Sequence, residues 1–179
     1  MPALDLAAEL GRDRLELFAP LKVAVFSSGD EIQEPGSVAP AGAVFDANRY
    51  ILKALLGSLP VFVSNLGILR DDPGVVRAAL AGAAEGHDVI LASGGASRGD
   101  EDHVVRSVAE LGRLDFWQIA MKPGRPLAFG RLGRTVFVGL PGNPVATMVC
   151  FLLFARPVLL RLAGAAWRLP RAFAVPAAF

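Results

Sequence analysis

The sequence predicts an α/β fold: three layers, α/β/α, around a mostly parallel sheet with a short antiparallel edge. Three observations carry this expectation. After Pro20, short apolar runs alternate with segments of helical period, which is the pattern of a parallel sheet covered by helices on both faces. The runs, such as Val89-Ile90-Leu91-Ala92, lack the polar alternation of a half-exposed strand and suit burial on both sides. Glycine- and proline-rich turns follow the runs, and ligands of open α/β sheets bind at the carboxyl ends of the strands.

Taken in order, the pattern predicts a strand over 22–26, a helix over 48–56, a strand over 61–65, a helix over 75–84, a strand over 89–92 and a helix over 104–111. Asp72 before Pro73 is a helix start, because the carboxylate can cap the first turn and proline suits its first position. Apolar runs at 116–121, 127–130 and 135–140 read as strands separated by turns, with Leu132-Gly133-Arg134 as a hairpin turn. The segment 135–155 has no charged residue and the length of a membrane span, but Leu140-Pro141-Gly142-Asn143-Pro144 would break a helix there and expose backbone to lipid. It is read as a buried strand followed by a buried helix over 145–162, bent or restarted near Pro157. Residues 1–20 hold a short amphipathic helix and a strand candidate over 14–18, and residues 165–179 are extended and apolar-rich. Both are expected to be pieces of neighbouring domains, leaving 21–164 as the α/β domain.

Composition narrows the function. A chain of 179 residues can bury one full core. A net charge of +1, with acids and bases interspersed and no basic run carrying aromatics, argues against nucleic acid. The single cysteine, Cys150, lies in an apolar helix and reads as a small buried hydrophobe, so the expected compartment is reducing and cytoplasmic, with no membrane partner. The first residues carry Asp5 and Glu9 and lack the basic region of a signal peptide. His87 and His103 have no metal-ligand spacing and are expected at helix ends. Phe116 and Trp117 are expected to pack.

Five loops carry chemistry. The richest is Ser93-Gly94-Gly95-Ala96-Ser97-Arg98-Gly99-Asp100-Glu101-Asp102, which sets an anion-ready glycine loop against carboxylates at a helix start. Gly94, Gly95 and Gly99 let backbone N–H groups approach an anion and Ser97 adds a hydroxyl, while the carboxylates would repel a phosphate unless a divalent cation lay between. Asp100 and Glu101 read as first-turn residues that offset the helix dipole; Asp102 reads as functional once the other loops are counted. In Ser27-Ser28-Gly29-Asp30-Glu31 the serines can donate to an oxyanion and the acids can hold a cation or orient water. In Arg70-Asp71-Asp72-Pro73 the cap role of Asp72 leaves Asp71 without a structural reason. Met121-Lys122-Pro123-Gly124-Arg125-Pro126 places a cation on either side of Gly124, suited to a phosphate or oxyanion. Leu140-Pro141-Gly142-Asn143-Pro144 points a helix N-terminus toward the same edge, with Thr147 one turn on.

Together, in this order and spacing, these loops resemble the molybdopterin molybdenumtransferases, the MoeA and gephyrin E-domain family, over roughly 21–164. The resemblance implies the molybdopterin-binding domain of a longer protein, with the fold of the MogA and MoaB proteins. It implies a reaction in which molybdate enters the dithiolene of adenylylated molybdopterin and AMP is released, assisted by Mg2+ or another divalent cation. By position, Glu31, Asp71 and Asp102 would be the catalytic acids and cation ligands, and Lys122 the catalytic cation. Ser27, Gly29, Asp30, Asn48, Gly94, Gly95, Ser97, Gly99, Lys122, Gly124, Arg125, Pro141, Gly142, Asn143 and Thr147 would contact the substrates. Arg125 replaces the family's usual lysine, which exchanges a point charge for a planar fork. Gln118 stands where some relatives carry lysine.

The resemblance also implies a homodimer and the molybdopterin adenylyltransferase as a partner. That adenylyltransferase shares the fold and is itself an alternative reading, disfavoured because its usual Gly-Gly-Thr-Gly is here Gly94-Gly95-Ala96-Ser97. The Gly-Gly-Leu-Gly-Pro-Thr of the related competence-damage-inducible family is absent. A third reading is a non-catalytic binding or dimerisation domain that needs missing domains, against which Glu31, Asp71 and Asp102 are all retained. The helix over 145–162 is expected to expose apolar surface that self-association would cover.

Overall fold

The computed structural model describes residues 2–38, 40–94, 103–122 and 124–166. Its element order is α1 (Pro2–Glu9), β1 (Leu21–Ser28), β2 (Ile32–Gln33), β3 (Val44–Phe45), α2 (Asn48–Leu56), β4 (Val61–Leu69), α3 (Pro73–Gly86), β5 (Val89–Ser93), α4 (His103–Leu111), β6 (Arg113–Gln118), β7 (Pro126–Leu132), β8 (Thr135–Leu140), α5 (Pro144–Cys150), a π-helical turn (Phe151–Ala155) and α6 (Arg156–Leu162).

Among the described residues the main sheet has six strands in the order β4-β1-β5-β8-β7-β6. The first four run parallel, and β7 and β6 complete the antiparallel edge that the hairpin turn at Leu132-Gly133-Arg134 predicts. The middle strands β5 and β8 are buried along their whole length, as strands covered on both faces must be. One core layer packs Leu52 and Leu56 of α2 with Cys150, Phe151, Ala155 and Leu159 of the last helix against Val23, Val25, Leu91 and Val138. The opposite layer packs Val76 and Leu80 of α3 with Val104 and Val108 of α4 against Phe26, Ile90 and Phe137. The three-layer expectation is met.

Four local readings change. The strand over 61–65 continues to Leu69 because a bulge at Leu66 lets Phe26 pair with Gly67 and carry the ladder onward. The strand placed at 116–121 is shifted to Arg113–Gln118, and the backbone beyond it turns, with Ile119 N–H donating to Arg125 C=O at 2.9 Å. Residues 14–18 form no strand; they are exposed and find no edge to pair with, while the amphipathic helix ahead of them is present as α1. The last helix is continuous from Pro144 to Leu162. Pro157 cannot donate to Leu153 and would crowd its carbonyl, and the π turn just before it, with Arg156 N–H bonded to Phe151 C=O, absorbs the mismatch without breaking the helix.

That helix is long and apolar enough to cross a membrane, yet its Phe151, Ala155 and Leu159 are buried against the sheet. Val145, Met148, Leu152 and Leu153 on it are exposed, as expected. Phe116 packs by stacking on Phe129 at 5.6 Å between centroids, whereas Trp117 is 55% exposed because β6 is the outer strand and has a neighbour on one side alone among the described residues.

Candidate functional site

Because β1, β4, β5 and β8 are parallel, their four following loops emerge at one edge of the sheet, and the connection between β6 and β7 joins them there because Gln118 pairs with Pro126 beside the end of β8. The described parts of the five loops singled out in the sequence therefore lie at one edge. Three contiguous depressions occupy this edge. A cavity of about 340 Å3 is lined by Ser28, Glu31, Asn48, Gly94, Gly142 and Pro144, with Val44 and Phe45 as an apolar wall. A groove of about 830 Å3 shares Ile32 with it and carries Gly29, Asp30, Arg70 and Asp71. A groove of about 810 Å3 shares Pro126 and carries Gln118, Lys122, Gly124 and Arg125.

The cavity floor is built by close approach of three loops. Gly94 has φ +79°, and a Cβ there would sit 2.5 Å from the carbonyl oxygen of Ser28. Its N–H donates to Leu140 C=O at 3.3 Å, so the ends of β1, β5 and β8 are drawn together around a position only glycine fits. Asn48 Nδ2 donates to Gly142 C=O at 2.6 Å and ties the start of α2 to the loop after β8. Pro141 is buried, and its carbonyl accepts from Thr147 Oγ1 at 2.5 Å and from Ser93 Oγ at 3.5 Å. Asn143 caps α5 by accepting from Ala146 N–H at 3.1 Å. Thr147 is fully buried, and its one hydroxyl proton is shared with Asn143 C=O, 3.0 Å from Oγ1. Thr147 thus shapes the loop from beneath, where the sequence suggested substrate contact.

The two serines after β1 divide their roles. Ser27, expected to face an oxyanion, is fully buried and donates its hydroxyl to Asp46 Oδ1 at 3.0 Å. Ser28 Oγ and Asn48 Oδ1 are buried and have no hydrogen-bond partner among the described residues, and both residues line the cavity. A buried acceptor and a buried hydroxyl without partners, on residues that line one cavity, are suited to the polar edge of a ligand.

Asp30 and Asp71 line the neighbouring groove, and Glu31 lines the cavity itself. Gly29 has φ +150°, and a Cβ on it would come within 2.8 Å of the Glu31 carboxylate, so glycine makes room for that side chain. Asp30 Oδ1 accepts from Asp71 N–H at 3.0 Å, which joins the loops after β1 and β4. Glu31, Asp30 and Asp71 are all exposed. Asp72 accepts from Val75 N–H at 2.8 Å, the cap role expected of it. His87 Nδ1 meets Ala83 C=O at 2.9 Å at the end of α3, and His103 opens α4, so both histidines sit at helix ends. Among the described residues no three Asp, Glu, His or Cys side chains converge to hold a metal ion.

Lys122 and Arg125 are exposed on either side of buried Gly124, whose carbonyl accepts from the Cys150 thiol at 3.7 Å. Burial among apolar groups pushes the Cys150 thiol above its ordinary pKa, consistent with a packing role. Gly95, Ser97, Gly99 and Asp102, with Asp100 and Glu101, lie outside the described residues.

Sequence reasoning missed a charged cluster beside the cavity. Arg49 is buried in the first turn of α2 and bonds Asp46 Oδ2 through Nε at 2.6 Å, Asn65 Oδ1 through Nη1 at 2.9 Å, and Glu34 Oε2 through Nη2. Tyr50 donates its hydroxyl to Glu34 Oε1 at 2.9 Å. The Tyr50 hydroxyl and the Arg49 guanidinium hold Glu34 below the usual carboxylate range, and the same bond raises Tyr50. Burial opposes the charge on Arg49, but the bonds to Asp46 and Glu34 prevail and raise it. The available signal was Asp46 three residues before Arg49 at a helix start; Glu34 and Asn65 gave none.

A profile of the family described as "Probable molybdopterin binding domain" matches residues 24–161. The chain is 38% identical over 172 residues to a molybdopterin molybdenumtransferase of Haemophilus influenzae, an alignment covering 96% of this chain and 43% of that protein. The structure is similar, at TM-score 0.78 and 32% identity, to the molybdopterin biosynthesis MoeA protein of Pyrococcus horikosii, covering 89% of this chain and 40% of the other. It is similar in fold, at TM-score 0.60 and 23% identity, to the molybdopterin biosynthesis enzyme MoaB of Thermus thermophilus, covering 83% of this chain and 99% of the other. The chain thus spans about two fifths of the length of its molybdenumtransferase and MoeA relatives.

Proposed function

The chain belongs to the molybdopterin-binding domain family, and from that premise we propose that it is the substrate-binding domain of a molybdopterin molybdenumtransferase. The observation that carries the reading is the pair of buried polar atoms without a partner among the described residues, Ser28 Oγ and Asn48 Oδ1, on residues that line a cavity walled by Val44 and Phe45. A flat heterocycle with donors and acceptors along one edge satisfies both features, its faces against the apolar wall and its edge against the open polar atoms.

On this reading adenylylated molybdopterin lies along the edge of the sheet. Asn48, Gly94, Pro141, Gly142 and Asn143 shape its seat, with Gly95, Ser97 and Gly99 completing the glycine loop. Lys122 and Arg125 attract molybdate and the anionic phosphates from the adjoining groove. Glu31 and Asp71, with Asp102, orient the water that cleaves the pyrophosphate bond and releases AMP. A divalent cation such as Mg2+ would neutralise the phosphates while held by one or two of these carboxylates and the phosphates themselves, since the described acids do not form a protein cage.

Residues 1–20 and 165–179 are read as joins to neighbouring domains, in keeping with relatives more than twice as long. A homodimer would cover Val145, Met148 and Leu152, and the adenylyltransferase that makes the substrate would be a transient partner. The compartment is cytoplasmic, where Cys150 stays a thiol.

The test is AMP release from adenylylated molybdopterin by this chain with molybdate and magnesium, in parallel with Asp71→Asn. Release that drops at least about 100-fold in the variant is expected. Failure of the wild-type chain to bind molybdopterin at all would remove the reading.

A further inference from the structure

Four segments of the chain meet at one buried guanidinium. Glu34 follows β2, Asp46 follows β3, Arg49 lies in α2, and Asn65 sits at the bulge of β4. The side chains of Arg49 and Asp46 are 5% and 1% exposed. Burying such a pair gives little net stability, because desolvation offsets the attraction; what it offers is a single geometry. Here the geometry concerns the small ribbon of β2 and β3, which pairs with no strand of the main sheet. The ribbon is held by Val44 N–H to Glu31 C=O and Asp46 N–H to Gln33 C=O, both at 2.9 Å, and so short a two-stranded unit is marginal alone. Yet it supplies Glu31, Ile32, Val44 and Phe45 to the cavity.

We infer that Arg49 is a positioning residue, whose guanidinium pins the β2–β3 ribbon to β4 and thereby sets the cavity wall and the Asp46-Ala47-Asn48 turn that carries Asn48 to the ligand. Its planar fork reaches Glu34 on one side of the ribbon, Asp46 on the other, and Asn65 on the main sheet. Lysine has the charge but not three diverging donors in one plane. Asp46 passes the constraint on, because its Oδ1 accepts from Ser27 Oγ at 3.0 Å and from Arg49 N–H at 3.1 Å, locking the end of β1 to the start of α2. The bulge contributes by placing Asn65 where its Oδ1 accepts from both Arg49 and Gly67 N–H, the latter at 3.0 Å.

The inference rests on the reading of the cavity as the molybdopterin seat, and the experiment separates the two. Amide hydrogen exchange at Val44 and Asp46, referenced to the core amides of β1, and the Kd for molybdopterin are measured in the wild-type chain, Arg49→Lys, Arg49→Ala and Glu34→Ala. Removing Arg49 leaves buried Asp46 uncompensated, so Glu34→Ala, which cuts one exposed arm, decides the matter if the Arg49 variants do not fold. Expected are exchange at Val44 and Asp46 about tenfold faster or more with β1 unchanged, and affinity about tenfold weaker in Arg49→Lys, with a smaller loss in Glu34→Ala. Low-millimolar guanidinium, but not ammonium, should restore affinity to Arg49→Ala, a result that a general loss of stability would not produce. Unchanged exchange at Val44 and Asp46 in Glu34→Ala and Arg49→Lys would overturn the inference, as would faster exchange with unchanged affinity. If the wild-type chain binds no molybdopterin, the cavity reading falls, and the exchange result alone upholds or overturns the pinning by Arg49.

Discussion

Gly124 lies so close to Cys150 that a Cβ on the glycine would stand 2.6 Å from the sulfur, and 2.7 Å from Cε of Met121. The basic loop is therefore seated on the last helix by a contact that admits no side chain, and Gly124 also has φ +109°.

Gly124→Ala should lower stability by about 1–3 kcal/mol, through overpacking and backbone strain together. Molybdate binding by Lys122 and Arg125 should weaken in parallel, because the loop must lift. Cys150→Ala removes the sulfur, so in the double variant part of the loss should return, with a coupling of at least about 0.5 kcal/mol in urea denaturation. Strict additivity would show that the contact does not seat the loop.

Asn48→Asp keeps the shape of the side chain but replaces the donor to Gly142 C=O with an oxygen. A carboxylate facing a carbonyl should cost about 1–3 kcal/mol of stability and weaken molybdopterin binding beyond that of Ser28→Ala, which loses a hydroxyl with no partner among the described residues. Denaturation and equilibrium binding on both variants check this. Equal stability of Asn48→Asp and wild type would deny the tie between α2 and the loop after β8.

Tyr50 is the chain's single tyrosine, so its phenolate absorbance reports one group. Its bond to Glu34 raises its pKa, and the stabilisation is present below the ordinary phenol pKa and lost as pH rises through the raised folded value. Glu34 is lowered, so its contribution is present above the ordinary carboxylate pKa and lost as pH falls through the lowered folded value. The anchoring of the ribbon should thus be strongest between the two. Glu34→Gln should bring the Tyr50 midpoint down toward that of free tyrosine; a midpoint that does not move would contradict the pairing.

Much of this protein is legible in its residues. The helix over Asn48–Leu56, the cap at Asp72, the hairpin at Gly133 and the placing of the strand ends that precede the loops at one sheet edge follow from periodicity, capping and turn chemistry, all of which act between neighbours in the chain. Tertiary structure decided the rest. It extended β4 through a bulge, because a bulge is defined by the partner strand β1. It turned Ser27 away from the site, toward a carboxylate 19 residues on, and left Ser28 Oγ and Asn48 Oδ1 without partners among the described residues. It joined Glu34, Arg49 and Asn65, each partner 15 or 16 residues from the arginine, and tied Asn48 to a carbonyl 94 residues away. Residue type and local spacing determine which elements form. Which polar atom is satisfied, and which is left for a ligand, depends on distant segments meeting, and only the packed sheet brings them together.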